Sequence, residues 1–271
     1  SIIYTASCQC QAVPANKPDS PSVPLNIALG LVLGLFLGTG LAFVREATER
    51  PIVSSSQLER ISGSPCLLNI SKGKRESDAT DSHRALRASV THLAKEGGAK
   101  TLAIISSGAD ESTPTTSLGL ARALAQSGER ILLIEGDLST PSLATALGVT
   151  TSSGLIDVLA GKSTIEAAIS ESEVENLSLL TRGSSSAASG DLLGSLRLRE
   201  TLKSLGASYD RVLITTPDLS SSSDAISVAA ASDSSLWFVQ AGQVSEDAIT
   251  ESCKRMRMAG ASILGCVLKT S

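Results

Sequence analysis

A loop with the position of a phosphate-binding site lies between residues 106 and 124, where the chain reads SSGADESTPTTSLGLARAL. The apolar run TLAII precedes it and an amphipathic helical pattern follows it. Such a loop binds a nucleotide through a glycine-rich backbone, a Lys that reaches the β and γ phosphates, and a Ser or Thr hydroxyl on magnesium. Here the glycine, lysine and hydroxyl positions are Ser112, Thr113 and Pro114. The sequence therefore predicts the scaffold of a phosphate site without its usual side chains.

Two residues of this loop are compatible with a helix start although they differ from those of a phosphate-binding loop. Pro114 is compatible with the first turn of a helix, where no backbone N–H is needed, but it has no hydroxyl for a metal. Asp110 brings negative charge to the place of the phosphates, where it can interact with the helix dipole instead of an anion.

The pattern of strands and helices around this loop predicts an α/β fold with a doubly wound, mostly parallel sheet. From Thr101 onward, short apolar runs alternate with segments of helical length, as in βαβ units. Ligands of such sheets bind at the carboxyl ends of the strands, and the loop at Ser106 lies at such an end. Residues from 45 to the start of the first helix are polar and predicted to be irregular. The predicted strands are 102–106, 131–135, 177–181, 211–215, 236–240 and 262–268, and the predicted helices are 78–95, 115–127, 190–205, 224–231 and 245–258.

The composition excludes two classes of function. A net charge of -4 without a basic stripe argues against nucleic-acid binding. The five cysteines have no paired metal-ligand spacing, so no metal site is expected; Cys66, Cys253 and Cys266 are predicted to be small buried side chains. Cys8 and Cys10 would differ only outside the membrane, where a disulfide to another segment is conceivable.

Residues 25–44, LNIALGLVLGLFLGTGLAFV, are predicted to form a transmembrane helix. They carry no charge, and about 20 residues are needed to cross a bilayer. A signal peptide is the competing interpretation, but the run is long and lacks a basic segment before it. Three glycines, Gly30, Gly34 and Gly38, recur every four residues, which predicts a helix-packing stripe unless they only reflect the frequency of glycine in membrane helices.

The basic residues after the span predict on which side of the membrane each end of the chain lies. Arg45 and Arg50 follow the span directly, so the C-terminal side is predicted to be cytoplasmic and the N-terminal side external. The predicted domains are a Pro-rich extracytoplasmic tail (1–24), the span (25–44), a cytoplasmic juxtamembrane linker and helix (45–99), and the α/β domain (100–271). The apolar start SIIY is expected to be the end of a longer external domain.

This organisation resembles the bacterial polysaccharide co-polymerases, or chain-length determinants, that are fused to a bacterial tyrosine-kinase (BY-kinase) domain, relatives of the MinD and ParA ATPases. The family's loop reads like GEGKSTT, and the aligned residues 110–116 share only Glu111 and the threonines Thr115 and Thr116. The resemblance covers nearly the whole chain, including the proline-rich stretch before the span.

Two further family motifs are similar but altered. For the family's Asp-x-Asp-x-Arg, the chain has Glu135, Asp137 and Ser139. For YDYVIIDTPP it has YDRVLITTPD, with Thr215 at the magnesium-linked Asp. The family's C-terminal tyrosine cluster is absent, because the chain holds only Tyr4 and Tyr209. We expect no catalytic residues and no nucleotide cofactor; ATP and magnesium remain the alternative.

A third motif concerns assembly. Asp81, Arg84 and Arg87 are three residues apart on one predicted helix face, and they resemble the family's Glu-x-x-Arg-x-x-Arg motif, through which kinase domains contact one another in a ring. A solvated charged face is the alternative interpretation.

The resemblance implies a regulator of capsular or exopolysaccharide polymerisation and export, anchored in the bacterial plasma membrane, with a cytoplasmic pseudokinase domain that acts in assembly. Its expected partners are copies of itself or a related active kinase, the polymerisation and export machinery, and the membrane. Two alternatives are an active, divergent protein-tyrosine kinase or ATPase and a membrane-tethered ParA- or MinD-like positioning protein.

Overall fold

A computed structural model of the chain describes residues 23–48, 51–71, 76–108, 113–137, 143–146, 149, 153–183 and 189–270. It divides into two compact units, with the division between Glu49 and Arg50. The predicted tail (1–24) lies almost entirely outside the described residues, as do Ser112, Asp110 and Glu111 of the loop.

The first unit is the helix α1 (Val23–Thr48). Its window Pro24–Leu41 has a mean hydropathy of 1.8 and none of it is buried within the chain. By length and composition this helix is a candidate membrane span. Gly30, Gly34 and Gly38 lie on its exposed surface with open space beside them, so their packing role stays a prediction.

The second unit is built on an eight-stranded sheet with the order β1-β8-β7-β2-β6-β3-β5-β4. All neighbouring strands are parallel except β4 and β5, which are antiparallel. The predicted mostly parallel α/β fold is thereby confirmed. The strands are β1 (Cys66–Ser71), β2 (Thr101–Ser107), β3 (Ile131–Glu135), β4 (Ile169–Glu171), β5 (Leu177–Leu180), β6 (Arg211–Asp218), β7 (Ser234–Gln240) and β8 (Ile263–Thr270).

Helices cover both faces of this sheet, because its central strands are apolar on both sides and must be buried on both. One core lies under α3 and α4, and the other under α2, α6, α9, α10 and α11. The helices are α2 (Ser55–Ser62), α3 (Glu76–Gly97), α4 (Thr113–Ala125), α5 (Leu143–Ala146), α6 (Leu155–Leu159), α7 (Ile165–Ala168), α8 (Ser189–Leu193), α9 (Leu196–Ser208), α10 (Asp224–Ala231) and α11 (Glu246–Met258).

The prediction of an irregular segment after residue 45 is wrong for residues 51–71. Ser54 caps α2 in a capping box with Gln57, and Gly63 ends the helix in the left-handed conformation that glycine favours. β1 then pairs with β8, so the sheet extends across the boundary predicted at residue 100. The predicted helix 190–205 is two helices, α8 and α9, separated at Gly194 and Ser195.

Candidate functional site

The candidate site lies at the carboxyl edge of the three strands β2, β6 and β3. Thr215 on β6 is paired in register with Ile104 on β2 and with Glu135 on β3. The helix α4 begins close in sequence after β2, so its first turn belongs to the same edge. The fold therefore brings together three segments that sequence analysis selected: the start of α4, the end of β3 and the end of β6.

The first turn of α4 holds Thr113, Pro114 and Thr115. The side chain of Thr113 is at the family's lysine position, yet the residue is only 5% exposed. Its carbonyl oxygen accepts a hydrogen bond of 2.7 Å from the hydroxyl of buried Ser117. Pro114 lies in this first turn, as predicted, and Thr115 is exposed. The first turn of α4 thus buries Thr113 and leaves Thr115 exposed.

Glu135 is the most deeply buried acid of this edge, with 1% of its surface exposed. Its two carboxylate oxygens accept backbone N–H bonds, Oε1 from Leu143 at 3.0 Å and Oε2 from Arg182 at 3.4 Å. A buried carboxylate is costly unless it is hydrogen-bonded in this way. Glu135 therefore joins the ends of β3 and β5 to the start of α5.

The Thr215 side chain forms a hydrogen bond to the neighbouring strand β3. Its hydroxyl donates to the carbonyl oxygen of Ile134 at 3.3 Å, and the residue is 5% exposed. Beside it, a Cβ at Gly136 would lie 2.4 Å from the Thr215 carbonyl oxygen, so only glycine fits there. The strands β3 and β6 are packed together at this point.

In the BY-kinases that the sequence resembles, magnesium bound to the nucleotide would be held at the positions of Pro114, Glu135, Asp137 and Thr215. Pro114 offers no ligand oxygen, Thr215 replaces a carboxylate, and both oxygens of Glu135 accept backbone hydrogen bonds. Asp137 follows β3 at the same edge and is half-buried. In the described part of the chain, no group of three or more His, Cys, Asp or Glu side chains could hold a metal ion. At these positions Pro114 supplies no ligand atom and Thr215 no carboxylate, whereas Asp137 keeps a carboxylate at this edge.

One carboxylate of this edge escaped sequence analysis. Asp218 ends β6, three residues beyond Thr215, and its Oδ1 accepts a 2.8 Å bond from the backbone N–H of Ser220. Its Oδ2 is buried and has no hydrogen-bond partner. β6 thus brings a carboxylate to this edge of the sheet, three residues after the position at which the family motif has its Asp.

The predicted assembly residues lie on α3. Asp81 and Arg84 form an ion pair at 3.3 Å and both side chains are mostly exposed, at 73% and 64%. Arg87 is half-buried, and its Nη1 donates to the carbonyl oxygen of Ala123 on α4 at 3.5 Å. Arg84 is therefore available for intermolecular contact, whereas Arg87 also contributes to packing between α3 and α4.

His83 stands between these residues and packs directly onto Gly119 of α4. A Cβ at Gly119 would lie 2.3 Å from Cε1 of the His83 ring, so glycine permits this close approach. Burial, and then the nearby Lys269, lower the pKa of His83 below its ordinary value. Folding therefore favours the neutral ring.

We expect acid to destabilise the domain partly through His83. Because the folded-state pKa is below the unfolded one, the contribution of His83 is complete above about pH 6.5 and is lost as the pH falls below it. Denaturant unfolding from pH 7.5 to 5 should show a flatter pH dependence for His83→Gln than for the unaltered chain. The control is His92→Gln, whose side chain is 73% exposed; an equal flattening in both variants would contradict the prediction.

Comparison with known proteins agrees with the mostly parallel α/β fold of the second unit. Residues 99–261 match the AAA domain family. The tyrosine-protein kinase ptk of Acinetobacter johnsonii is 29% identical over 95% of this chain and 38% of its own length. A Klebsiella pneumoniae protein named for a tyrosine-protein kinase in a cps region is 25% identical over 95% of this chain and 39% of its own length.

The solved kinase domain of the Escherichia coli tyrosine kinase ETK is similar in structure, with a TM-score of 0.73 and 26% identity over 81% of this chain and 94% of that domain. The chain spans about two fifths of the length of the two curated relatives. These likenesses support the predicted BY-kinase-like P-loop domain. With the family model matching more than half of its residues, the chain belongs to the AAA domain family.

Proposed function

We propose that this chain is a membrane-anchored regulator of capsular or exopolysaccharide polymerisation and export, whose kinase-type domain acts in assembly and does not transfer phosphate. The observation that carries the proposal is the use of the site's side chains for internal contacts. The Thr215 hydroxyl donates to Ile134, and the Glu135 carboxylate accepts two backbone N–H groups. Phosphoryl transfer depends on charges placed around the phosphates. Thr215 carries no charge, and the Glu135 carboxylate is buried against backbone N–H groups.

An active, divergent protein-tyrosine kinase that uses ATP and magnesium is the competing function. The names of the relatives favour it more directly than they favour a loss of phosphate transfer. Asp218 is the structural feature on its side, because it keeps a carboxylate at the carboxyl edge of β6. A ParA- or MinD-like positioning role receives less support, since the kinase domain of ETK matches four fifths of the chain.

The polysaccharide context rests on the family resemblance and on the relative named for a cps region. If the domain acts by assembly, the polymer should not depend on its nucleotide-site side chains. In cells that carry this gene, we expect Thr113→Ala and Thr215→Val to leave the polymer length distribution unchanged, whereas deletion of the gene alters it. Gel analysis of the extracted polymer is the measurement.

The outcome of that experiment separates the two functions. A change of polymer length in Thr113→Ala or Thr215→Val, accompanied by loss of phosphotyrosine from the cells, would support the active kinase instead. Equal amounts of each variant in the membrane fraction, measured by immunoblot, provide the control for folding.

The anchor proposal places α1 in the plasma membrane, with the tail outside and the α/β domain in the cytoplasm. An impermeant thiol reagent applied to intact cells should then label Cys8 and Cys10. Cys253 is unsuitable as the internal control because it is 3% exposed and burial alone would protect it. Glu200→Cys, on the exposed face of α9, is the better control and should be labelled only after lysis. Labelling of Glu200→Cys in intact cells would reverse the orientation.

A further inference from the structure

A groove of about 320 Å³ runs between α3 and α4, beside the candidate site rather than within it. Thr115, in the first turn of α4, lines it, and Gln126, directly after the end of that helix, also borders it. All of its lining residues are described, and the family motifs include only Arg84 and Thr115 among them.

The groove is cationic. Arg84 reaches it from α3 and Arg122 from α4, and His83 lines it between them. Its lining contains no carboxylate. Asp81 pairs with Arg84 at 3.3 Å, but both side chains are mostly exposed, so this pair is weak and can yield to a stronger anion.

The shape of the groove depends on Gly119. Because this residue has no side chain, the His83 ring packs against the backbone of α4 and the two helices approach closely. Arg87 adds a hydrogen bond from α3 to the Ala123 carbonyl oxygen at 3.5 Å. Both walls are therefore helices held to one another, and the two arginines project from fixed backbones.

We propose that this groove binds a phosphate monoester, with Arg84 and Arg122 contacting the phosphate oxygens from opposite walls. Two guanidinium groups match the double charge of a phosphate monoester better than the single charge of a carboxylate, and each can donate two parallel hydrogen bonds to it. The Thr115 hydroxyl and the His83 ring are further hydrogen-bonding groups of the lining. This inference shares Arg84 with the proposed assembly face and Thr115 with the nucleotide-site positions, so its deciding variant is made at Arg122, which belongs to neither.

The test is a titration of the full chain in detergent with phenyl phosphate, followed by NMR of its two histidines. His83 is held below its ordinary pKa by burial and by Lys269. A bound dianion opposes both effects, so the pKa of His83 should rise, while the resonances of His92, which does not line the groove, should not shift when the ligand is added. Phenol and benzoate, added at equal ionic strength, test whether the phenyl ring alone or a single negative charge is sufficient for binding.

Arg122→Gln is the deciding variant, because Arg122 is exposed and its replacement should not disturb the fold. We expect it to weaken phenyl phosphate binding roughly tenfold, as for the loss of a charged hydrogen-bonding partner. Arg255→Gln, an exposed arginine of α11, should bind like the unaltered chain. An unmoved His83 pKa, or equal affinity in Arg122→Gln and the unaltered chain, would overturn the proposal. If benzoate bound as tightly as phenyl phosphate, the groove would be a carboxylate site and the phosphate proposal would be wrong.

Discussion

Magnesium-ATP is expected to bind this chain no more tightly than in the millimolar range. Thr113 replaces the lysine that would contact the phosphates and is buried, Pro114 has no hydroxyl, and the Thr215 hydroxyl donates a hydrogen bond to the Ile134 carbonyl oxygen. A hydrogen bond to a charged group contributes about 1.5–3 kcal/mol, which is about tenfold or more in affinity. Losing several such contacts removes most of the affinity of a nucleotide site. Isothermal titration of the full chain in detergent measures it.

A matched variant makes this prediction sharper. Thr113→Lys, Pro114→Ser and Thr215→Asp together restore the lysine, the hydroxyl and the carboxylate of the family motifs, and should tighten MgATP binding at least about tenfold. Thr215→Asp alone should not, since it places a second carboxylate beside Glu135 without a lysine. Micromolar affinity in the unaltered chain would contradict the prediction and favour the active kinase.

Charge reversal at Arg84 is expected to abolish or strongly reduce self-association. Arg84 is exposed on α3, and within the described residues its only ion pair is with the exposed Asp81. Each exposed pair contributes only about 0.2–1 kcal/mol, but a ring repeats the contact at every interface, and confinement by a membrane helix raises the effective concentration of neighbours. Sedimentation and cross-linking of Arg84→Glu in detergent should therefore show smaller assemblies than the unaltered chain.

The structure changes which variant is best for this test. Arg84 and Arg87 are equivalent in the sequence motif, but Arg87 also donates a hydrogen bond to the Ala123 carbonyl oxygen, so its reversal would disturb α3 and α4 as well as any partner. Arg84→Glu should leave thermal unfolding nearly unchanged, and Arg255→Glu is the control for a change of charge. Assemblies of unaltered size in Arg84→Glu would show that this face is only solvated. Arg122→Gln should assemble normally, which separates assembly from the anion groove.

The sequence predicts the fold well where a pattern is local. The run Ile131–Glu135 has the same bounds in the predicted and observed strand, because it is buried on both faces and ends before a glycine. The strand Cys66–Ser71 was missed, since an edge strand pairs on one side only and alternates apolar residues with Asn69 and Ser71. β4 was missed because three residues carry too little pattern.

The site shows the same division. Thr113, Pro114 and Thr215 could be located from the sequence because a strand of clear pattern precedes or contains each. The contacts of Glu135 could not, since Arg182 is 47 residues away in the chain and only the pairing of β3 with β5 brings it near. The contact of His83 with Gly119 is likewise a product of helix packing, and a glycine inside a helix was its only sign in the sequence.

Trp237 is the single tryptophan of the chain, and it lies fully buried on β7. Its indole Nε1 donates to the hydroxyl of Ser107 at 3.0 Å, one residue before Gly108 and the loop that leads to α4. A buried indole usually has such a partner, and its surroundings determine the wavelength of its fluorescence. The chain's single tryptophan, which can be excited separately from its two tyrosines, therefore lies beside the candidate nucleotide site. Its emission spectrum can follow events at that loop without any added label.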